Sequence, residues 1–159
     1  MRFLFILSVC GNLLGQIQII PEGEDAFNQA IMMERAGNVD DAIVIYKKIL
    51  QGKPSHQPAY FQLKNIYTKK GDPKSAIQLV EKWLKHNASD LQSELALGEF
   101  YFRDQEQDKA LAIWNHFRKN RLTNQTTYRL LFHTYAQFGQ VQAMELLVRD
   151  GREKFNAPH

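Results

Sequence analysis

Apolar residues recur with helical spacing along most of this chain. Leu63, Ile66 and Tyr67 fall on one face of a predicted helix, and the segment 76–84 continues the same spacing over two further turns. Gly71 separates the two segments, and glycine commonly ends a helix because it tolerates a left-handed backbone. Asp72 and the proline after it suit the cap and the first position of the next helix. Residues 57–90 therefore predict two antiparallel helices joined by a tight turn.

This hairpin pattern returns at a fixed interval of 34 residues. One column of the repeat is the turn position, which holds Gly37, Gly71, Gln105 and Gly139. A second column is aromatic or bulky and holds Met33, Tyr67, Tyr101 and Tyr135. A third is mostly small and holds Ala42, Ala76, Ala110 and Met144. Because one hairpin cannot bury its own apolar faces, successive units must stack. The predicted units are residues 23–56, 57–90, 91–124 and 125–156.

The period and the columns together resemble the tetratricopeptide repeat (TPR) family. Pro54 matches the family's proline in the first unit, whereas Gln105 departs from its glycine, and Lys64 and Phe132 occupy a column that the family usually keeps small. The proline is replaced in the later units by Ala88, Leu122 and Asn156. The resemblance implies an all-α fold, an α-solenoid of about four antiparallel helical hairpins in a right-handed superhelix.

The resemblance also implies a binding surface. In this family the first helices of the hairpins line a concave groove that holds a peptide or a partner helix. The matching positions of this chain are Phe27, Asn28, Ile31, Arg35, Phe61, Gln62, Asn65, Lys69, Leu95, Glu99, Phe102, Arg103, Arg129 and His133. Aromatic side chains supply contact area, and amides can meet the backbone of an extended peptide.

Three cations of this set share one column of the repeat. Arg35, Lys69 and Arg103 are 34 residues apart, so a solenoid places them in a row along one edge of the groove. This row, the basic ladder, either attracts an acidic partner or is an exposed, solubilising face that contributes little binding energy. Glu99 and His133 share another column in adjacent units, and we expect these two side chains to interact.

Composition and motifs give no indication of an enzyme. The chain is 44% hydrophobic and 23% charged, and its formal net charge of +3 is too small to indicate nucleic-acid binding. Its sequence contains no glycine-rich phosphate loop, no H-E-x-x-H and no G-x-S-x-G. We therefore predict no catalytic residue, no metal site and no cofactor. Trp83 and Trp114 lie on apolar stripes and are predicted to be core residues.

The first residues predict export. Arg2 precedes an apolar run that is too short to span a bilayer, and small residues follow up to Gly15. This order is typical of a secretory signal peptide over residues 1–15, followed by a leader segment over 16–22. Two alternatives stay open: a lipoprotein anchored at Cys10, and a buried N-terminal segment of a cytosolic protein. The favoured location is the periplasm or cell envelope, with no stable transmembrane span after processing.

These observations favour a non-enzymatic protein-interaction module or scaffold of the cell envelope that binds a peptide or protein partner in the groove. The alternative is the N-terminal repeat region of a longer exported enzyme whose catalytic domain lies outside this sequence. Too few residues follow the last predicted helix to form another that covers it. The C-terminal repeat is therefore expected to be partly apolar and to favour self-association, unless polar residues such as Arg149 and Asp150 cover it.

Overall fold

The computed structural model describes residues 24–155, which form eight α-helices and no strand. The predicted signal peptide and leader segment lie outside the described residues. The helices are α1 (Glu24–Arg35), α2 (Val39–Gly52), α3 (Gln57–Lys70), α4 (Pro73–His86), α5 (Leu91–Arg103), α6 (Gln107–Asn120), α7 (Gln125–Gln137) and α8 (Val141–Phe155). Each helix packs against the next one along the chain, and α5 also contacts α7. The predicted all-α repeat fold is confirmed.

The turn inside each hairpin has a left-handed residue at the predicted position. The φ angles are +85° at Gly37, +63° at Gly71 and +65° at Gly139. Gln105 adopts the same conformation, with φ +66°, although it carries a side chain. The turn geometry is therefore imposed by the packing of the two helices, and glycine is only the residue that accommodates it most easily.

Short polar side chains define where several helices begin. Asp72 accepts a hydrogen bond from the Ser75 N–H at 3.0 Å, and Asn124 accepts one from the Thr127 N–H at 3.0 Å. Such caps satisfy backbone donors that have no partner within the helix. The predicted start of α4 at the proline after Asp72 is confirmed.

The interior consists of two apolar clusters that meet at α5. One extends from α1 to α5 and contains Trp83, which is 5% exposed. The other lies among α5 to α8 around Trp114, which is fully buried, so both tryptophans are core residues as predicted. Trp114 can approach α5 closely because Gly98 has no side chain: a Cβ there would lie 2.2 Å from the indole Nε1.

A buried polar network joins the second hairpin to the third. The Tyr60 ring stacks on the Trp83 indole with centroids 4.1 Å apart, and its hydroxyl lies 2.7 Å from Ser93 Oγ. Asp90 accepts hydrogen bonds from Trp83 Nε1 at 2.8 Å and from Ser93 Oγ at 2.7 Å. Because every polar group in the network has a partner, the contact fixes the relative position of the two hairpins.

The last helix contains a buried glycine. A Cβ at Gly151 would lie 2.5 Å from Tyr128 Cε2. The Tyr128 ring thus fills the space that a large side chain occupies in the earlier units. On the outside of α8, Val141 and Leu146 are exposed.

Candidate partner-binding surface

The fourteen residues predicted for the groove are here called the first-helix surface, because they belong to α1, α3, α5 and α7. Seven of them are exposed: Asn28, Arg35, Asn65, Lys69, Arg103, Arg129 and His133. Six are half-buried: Phe27, Ile31, Phe61, Gln62, Glu99 and Phe102. The exposed members are amides and basic side chains, whereas the apolar members are drawn towards the interior.

Leu95 is the member that the structure removes from this surface. It is 4% exposed and belongs to the second apolar cluster. Its carbonyl oxygen accepts a hydrogen bond from Trp114 Nε1 at 3.2 Å, so this turn of α5 faces α6. The assignment of Leu95 to the groove was therefore wrong, because Leu95 packs into the apolar cluster around Trp114.

Two of the three phenylalanines of the first-helix surface pack against aromatic rings of other helices or turns. Phe27 lies against Tyr46, with ring centroids 5.8 Å apart, and Phe102 lies against Phe138 at 4.9 Å. Phe61 lies beside Tyr60 on α3, at 5.5 Å. Lys64 Nζ stands 4.9 Å from the centroid of the Phe61 ring. At α3 the surface therefore presents an aromatic ring covered by a flexible cation.

Lys64 was missed as a surface residue by the sequence analysis, which treated it only as a departure in a small column. Its side chain is half-buried over two aromatic rings. Burial lowers the pKa of Lys64, while the carboxylates of Asp90 and Glu99 act in the opposite direction. Its position in the repeat could have indicated this role, because Lys64 corresponds to Gly98 of the next unit. The second unit therefore has a long cationic side chain where the third unit has none.

The centre of the surface holds one half-buried carboxylate with two cationic neighbours. Burial raises the pKa of Glu99, and the charges of Arg103 and Lys64 only partly offset this. No direct ion pair joins Glu99 to either cation within residues 24–155. The half-buried Glu99 carboxylate thus lies near two cations without a direct ion pair to either, and its oxygens can accept hydrogen bonds from a ligand.

The expected contact between Glu99 and His133 is not formed in the described part of the chain. The charged neighbours of Glu99 are on α3 and on its own helix. His133 is exposed and lies edge-on to the Phe132 ring, with centroids 6.5 Å apart. A shared repeat column was insufficient evidence, because the stagger between α5 and α7 decides whether two side chains meet.

The three cations of the basic ladder are exposed, as their column predicts. Arg35 and Lys69 form no ion pair within the described residues. The Arg103 guanidinium lies 5.8 Å from the centroid of the Phe138 ring. The ladder therefore offers two unpaired charges and a third that is partly held by an aromatic face.

Between residues 24 and 155, no cluster of histidine and acidic side chains is arranged to hold a metal ion. Among α1 to α8, no helix has the length and apolar character needed to cross a bilayer.

Residues 34–98 match the family model described as tetratricopeptide repeat. Among solved structures, MamA from Desulfovibrio magneticus RS-1 is similar with a TM-score of 0.56 and 16% identity, over 82% of this chain and 73% of that one. MamA AMB-1 is similar with a TM-score of 0.54 and 17% identity, over 85% and 74% of the two chains. YrrB, titled a TPR protein with an unusual peptide-binding site, gives a TM-score of 0.54 and 18% identity over 85% and 70%. No curated protein sequence matches the chain.

The match in sequence and the likeness in fold agree with the repeat columns and with the left-handed turns. Residues 34–98 are similar in sequence to the tetratricopeptide repeat, and the described residues have its helical-repeat fold. At 16–18% identity, the solved structures establish the helical-repeat fold and nothing about partners.

Proposed function

We propose that the protein is a non-enzymatic interaction module that binds a peptide or protein segment across α3 and α5 on the first-helix surface. The observation that carries this proposal is the half-buried Glu99 carboxylate, which forms no ion pair within the described residues although Lys64 and Arg103 are its charged neighbours. Backbone N–H groups of an extended segment would supply hydrogen-bond donors, and Asn65 and Gln62 would bond its carbonyl groups. YrrB has a similar fold and is described as a TPR protein with an unusual peptide-binding site.

The partner proposed for this surface carries acidic residues along one side. Arg35 and Lys69 are exposed and unpaired in the described part of the chain, and Arg103 completes their row. A row of like charges spaced by one repeat attracts a segment whose carboxylates have a similar spacing, and this attraction weakens as salt is added. The same row would disfavour a basic partner.

The proposed setting is the cell envelope, reached by means of the N-terminal signal sequence. Exposed Val141 and Leu146 on α8 favour self-association through the C-terminal repeat under the same proposal. Export is tested by expression in a host that processes secretory signals, followed by measurement of the intact mass. A mature chain without residues 1–15 is expected, and a mass that retains Met1 or Arg2 in the processing host would contradict export.

The binding proposal is tested by affinity capture from the native envelope with three baits. The test variant carries Arg35→Glu, Lys69→Glu and Arg103→Glu. The control variant replaces one exposed lysine on each of the second helices α2, α4 and α6 with glutamate, namely Lys48, Lys74 and Lys119, and so has the same net charge as the test variant. A partner that the wild type and the control retain and the test variant loses is expected. Equal loss with both variants would show that net charge alone governs capture.

A further inference from the structure

A second concave site lies between the second helices α2 and α4. It is a cleft of about 400 Å³, with α3 as its floor. Tyr60 and Leu63 form part of this floor, and Trp83 of α4 forms part of one wall. Because its walls are second helices, the cleft is separate from the first-helix surface, and no sequence motif pointed to it. We call it the basic cleft.

Cations surround an apolar interior in the basic cleft. The polar rim includes Lys47, Lys82, Lys85 and His86, whereas no acidic residue lines the cleft within the described part of the chain. Asp72, whose pKa Lys47 helps to lower, is occupied as the cap of α4 through Ser75. The rim cations therefore face a space without a counter-charge, while aromatic and aliphatic groups lie below them.

In the next inter-repeat cleft, a carboxylate pairs with the basic side chains. This cleft lies between α4 and α6 over α5, one repeat further along, with a volume of about 480 Å³. There Glu94 accepts a hydrogen bond from Arg121 Nε at 3.0 Å, and its other oxygen lies 3.1 Å from His116 Nδ1. One repeat earlier, Glu94 corresponds to Tyr60 and His116 corresponds to Lys82. Arg121 corresponds to Asn87, so the basic cleft has a lysine in place of the histidine, an aromatic ring in place of the carboxylate and no counterpart of the arginine.

We propose that the basic cleft binds an acidic peptide segment in which a large apolar side chain is flanked by carboxylates. The apolar side chain would occupy the floor beside Trp83, and the carboxylates would meet Lys47 and Lys82 in the role that Glu94 plays in the next cleft. Gln51 and Gln78 line the rim and can bond a peptide backbone. A concave apolar floor suits a side chain better than a nucleic-acid phosphate or a flat membrane surface.

The test follows the two indole N–H signals of the full chain by NMR during titration with a short capped peptide that alternates glutamate with leucine. Trp83 lines the cleft, whereas Trp114 is fully buried in the other apolar cluster and serves as an internal control. The Trp83 signal is expected to shift and saturate while the Trp114 signal stays unchanged. The same peptide with glutamine in place of glutamate is expected to produce no saturable shift.

Two double variants test whether binding depends on the lysines of the cleft or only on the net charge of the protein. Lys47→Gln with Lys82→Gln is expected to weaken binding about tenfold, which corresponds to about 1.4 kcal/mol. Lys48→Gln with Lys119→Gln removes two exposed lysines that do not line the cleft, and this control should bind as the wild type does. Gln78→Glu should abolish binding, because it places a carboxylate one helical turn from Lys82.

Several results would overturn the proposal. They are the absence of a saturable Trp83 shift, equal binding of the glutamine peptide, and equal weakening in the Lys48 and Lys119 control. A Trp83 shift with vesicles of anionic phospholipid but not with the peptide would assign the cleft to a membrane instead. Because Lys47 and Lys82 line the cleft and do not belong to the first-helix surface, failure here leaves the proposal for the first-helix surface standing.

Discussion

The left-handed Gln105 predicts a substitution that should stabilise the protein. Three of the four hairpin turns have glycine at this position, but the third has Gln105 at φ +66°. A residue with a Cβ in the left-handed region is less stable than glycine there by about 1–2 kcal/mol. The Gln105 side chain is exposed and forms no hydrogen bond within the described residues, so no native contact offsets this cost. Gln105→Gly should remove the strain.

The magnitude follows from two opposing terms. Relief of the strained backbone contributes about 1–2 kcal/mol, whereas the greater freedom of glycine in the unfolded chain costs about 0.4–1 kcal/mol. The turn itself should be unchanged, because the Gln105 N–H bonds the Phe102 carbonyl at 3.1 Å and the Glu106 N–H bonds the Tyr101 carbonyl at 2.9 Å. Gly71 and Asp72 form the same two bonds one repeat earlier. A net gain of about 1 kcal/mol is expected, or about 3 °C in Tm.

Urea unfolding followed by circular dichroism measures this gain. Gln105→Gly should raise the midpoint at an unchanged slope. Gln105→Ala is the matched control, because it removes the side chain but keeps the strained conformation, and its midpoint should stay close to that of the wild type. Gly71→Ala is the mirror test: a Cβ there meets no atom within 4 Å, so any loss of stability is conformational. Equal stabilisation by alanine and glycine at position 105 would refute the reasoning.

Two further predictions concern the packing and the buried network. Gly98→Ala should destabilise the protein by about 1–3 kcal/mol, because the added Cβ would overlap the Trp114 indole. Gly52→Ala is the control: its Cβ would meet open space, so this substitution should be neutral or stabilising. Thermal unfolding measures both variants, and an equal effect of the two would contradict the prediction. Burial alone would raise the pKa of Asp90, but hydrogen bonds from Ser93 and Trp83 outweigh it, so the pKa is lowered. Because the folded-state pKa lies below the unfolded value of about 4, the stability that this carboxylate contributes is present above that pH and is lost as the pH falls through the folded pKa. The stability difference between wild type and Asp90→Asn, measured by urea unfolding, should shrink below about pH 4, and a constant difference would contradict the network.

The repeat period predicted the parts of the fold that depend on local sequence. The turn column located the left-handed residues, including Gln105, and Asp72 marked the start of α4. These features are readable because caps, turns and apolar stripes act over a few residues. Trp114 was predicted to be a core residue for the same reason, but its close approach to Gly98 was not predicted.

The surface was less predictable, because it depends on how neighbouring helices are rotated and staggered. Leu95 was placed in the groove by its column, but the packing of α6 on α5 turned it inwards. Lys64 was set aside as a departure and stands over the Phe61 ring beside the central carboxylate. The basic cleft was also invisible in the sequence, since its rim combines side chains from α2 and α4 whose juxtaposition requires the stacked structure.

Site-specific photo-crosslinking in the native cell tests the central claim most directly. A photoreactive amino acid in place of Asn65 reports the first-helix surface, and the same group in place of Lys48 reports an exposed position on α2 outside both proposed sites. The account predicts a discrete protein adduct from position 65 that is lost with Arg35→Glu, Lys69→Glu and Arg103→Glu, and no such adduct from position 48. The same adduct from both positions, or an adduct that persists after the charge reversals, would contradict it.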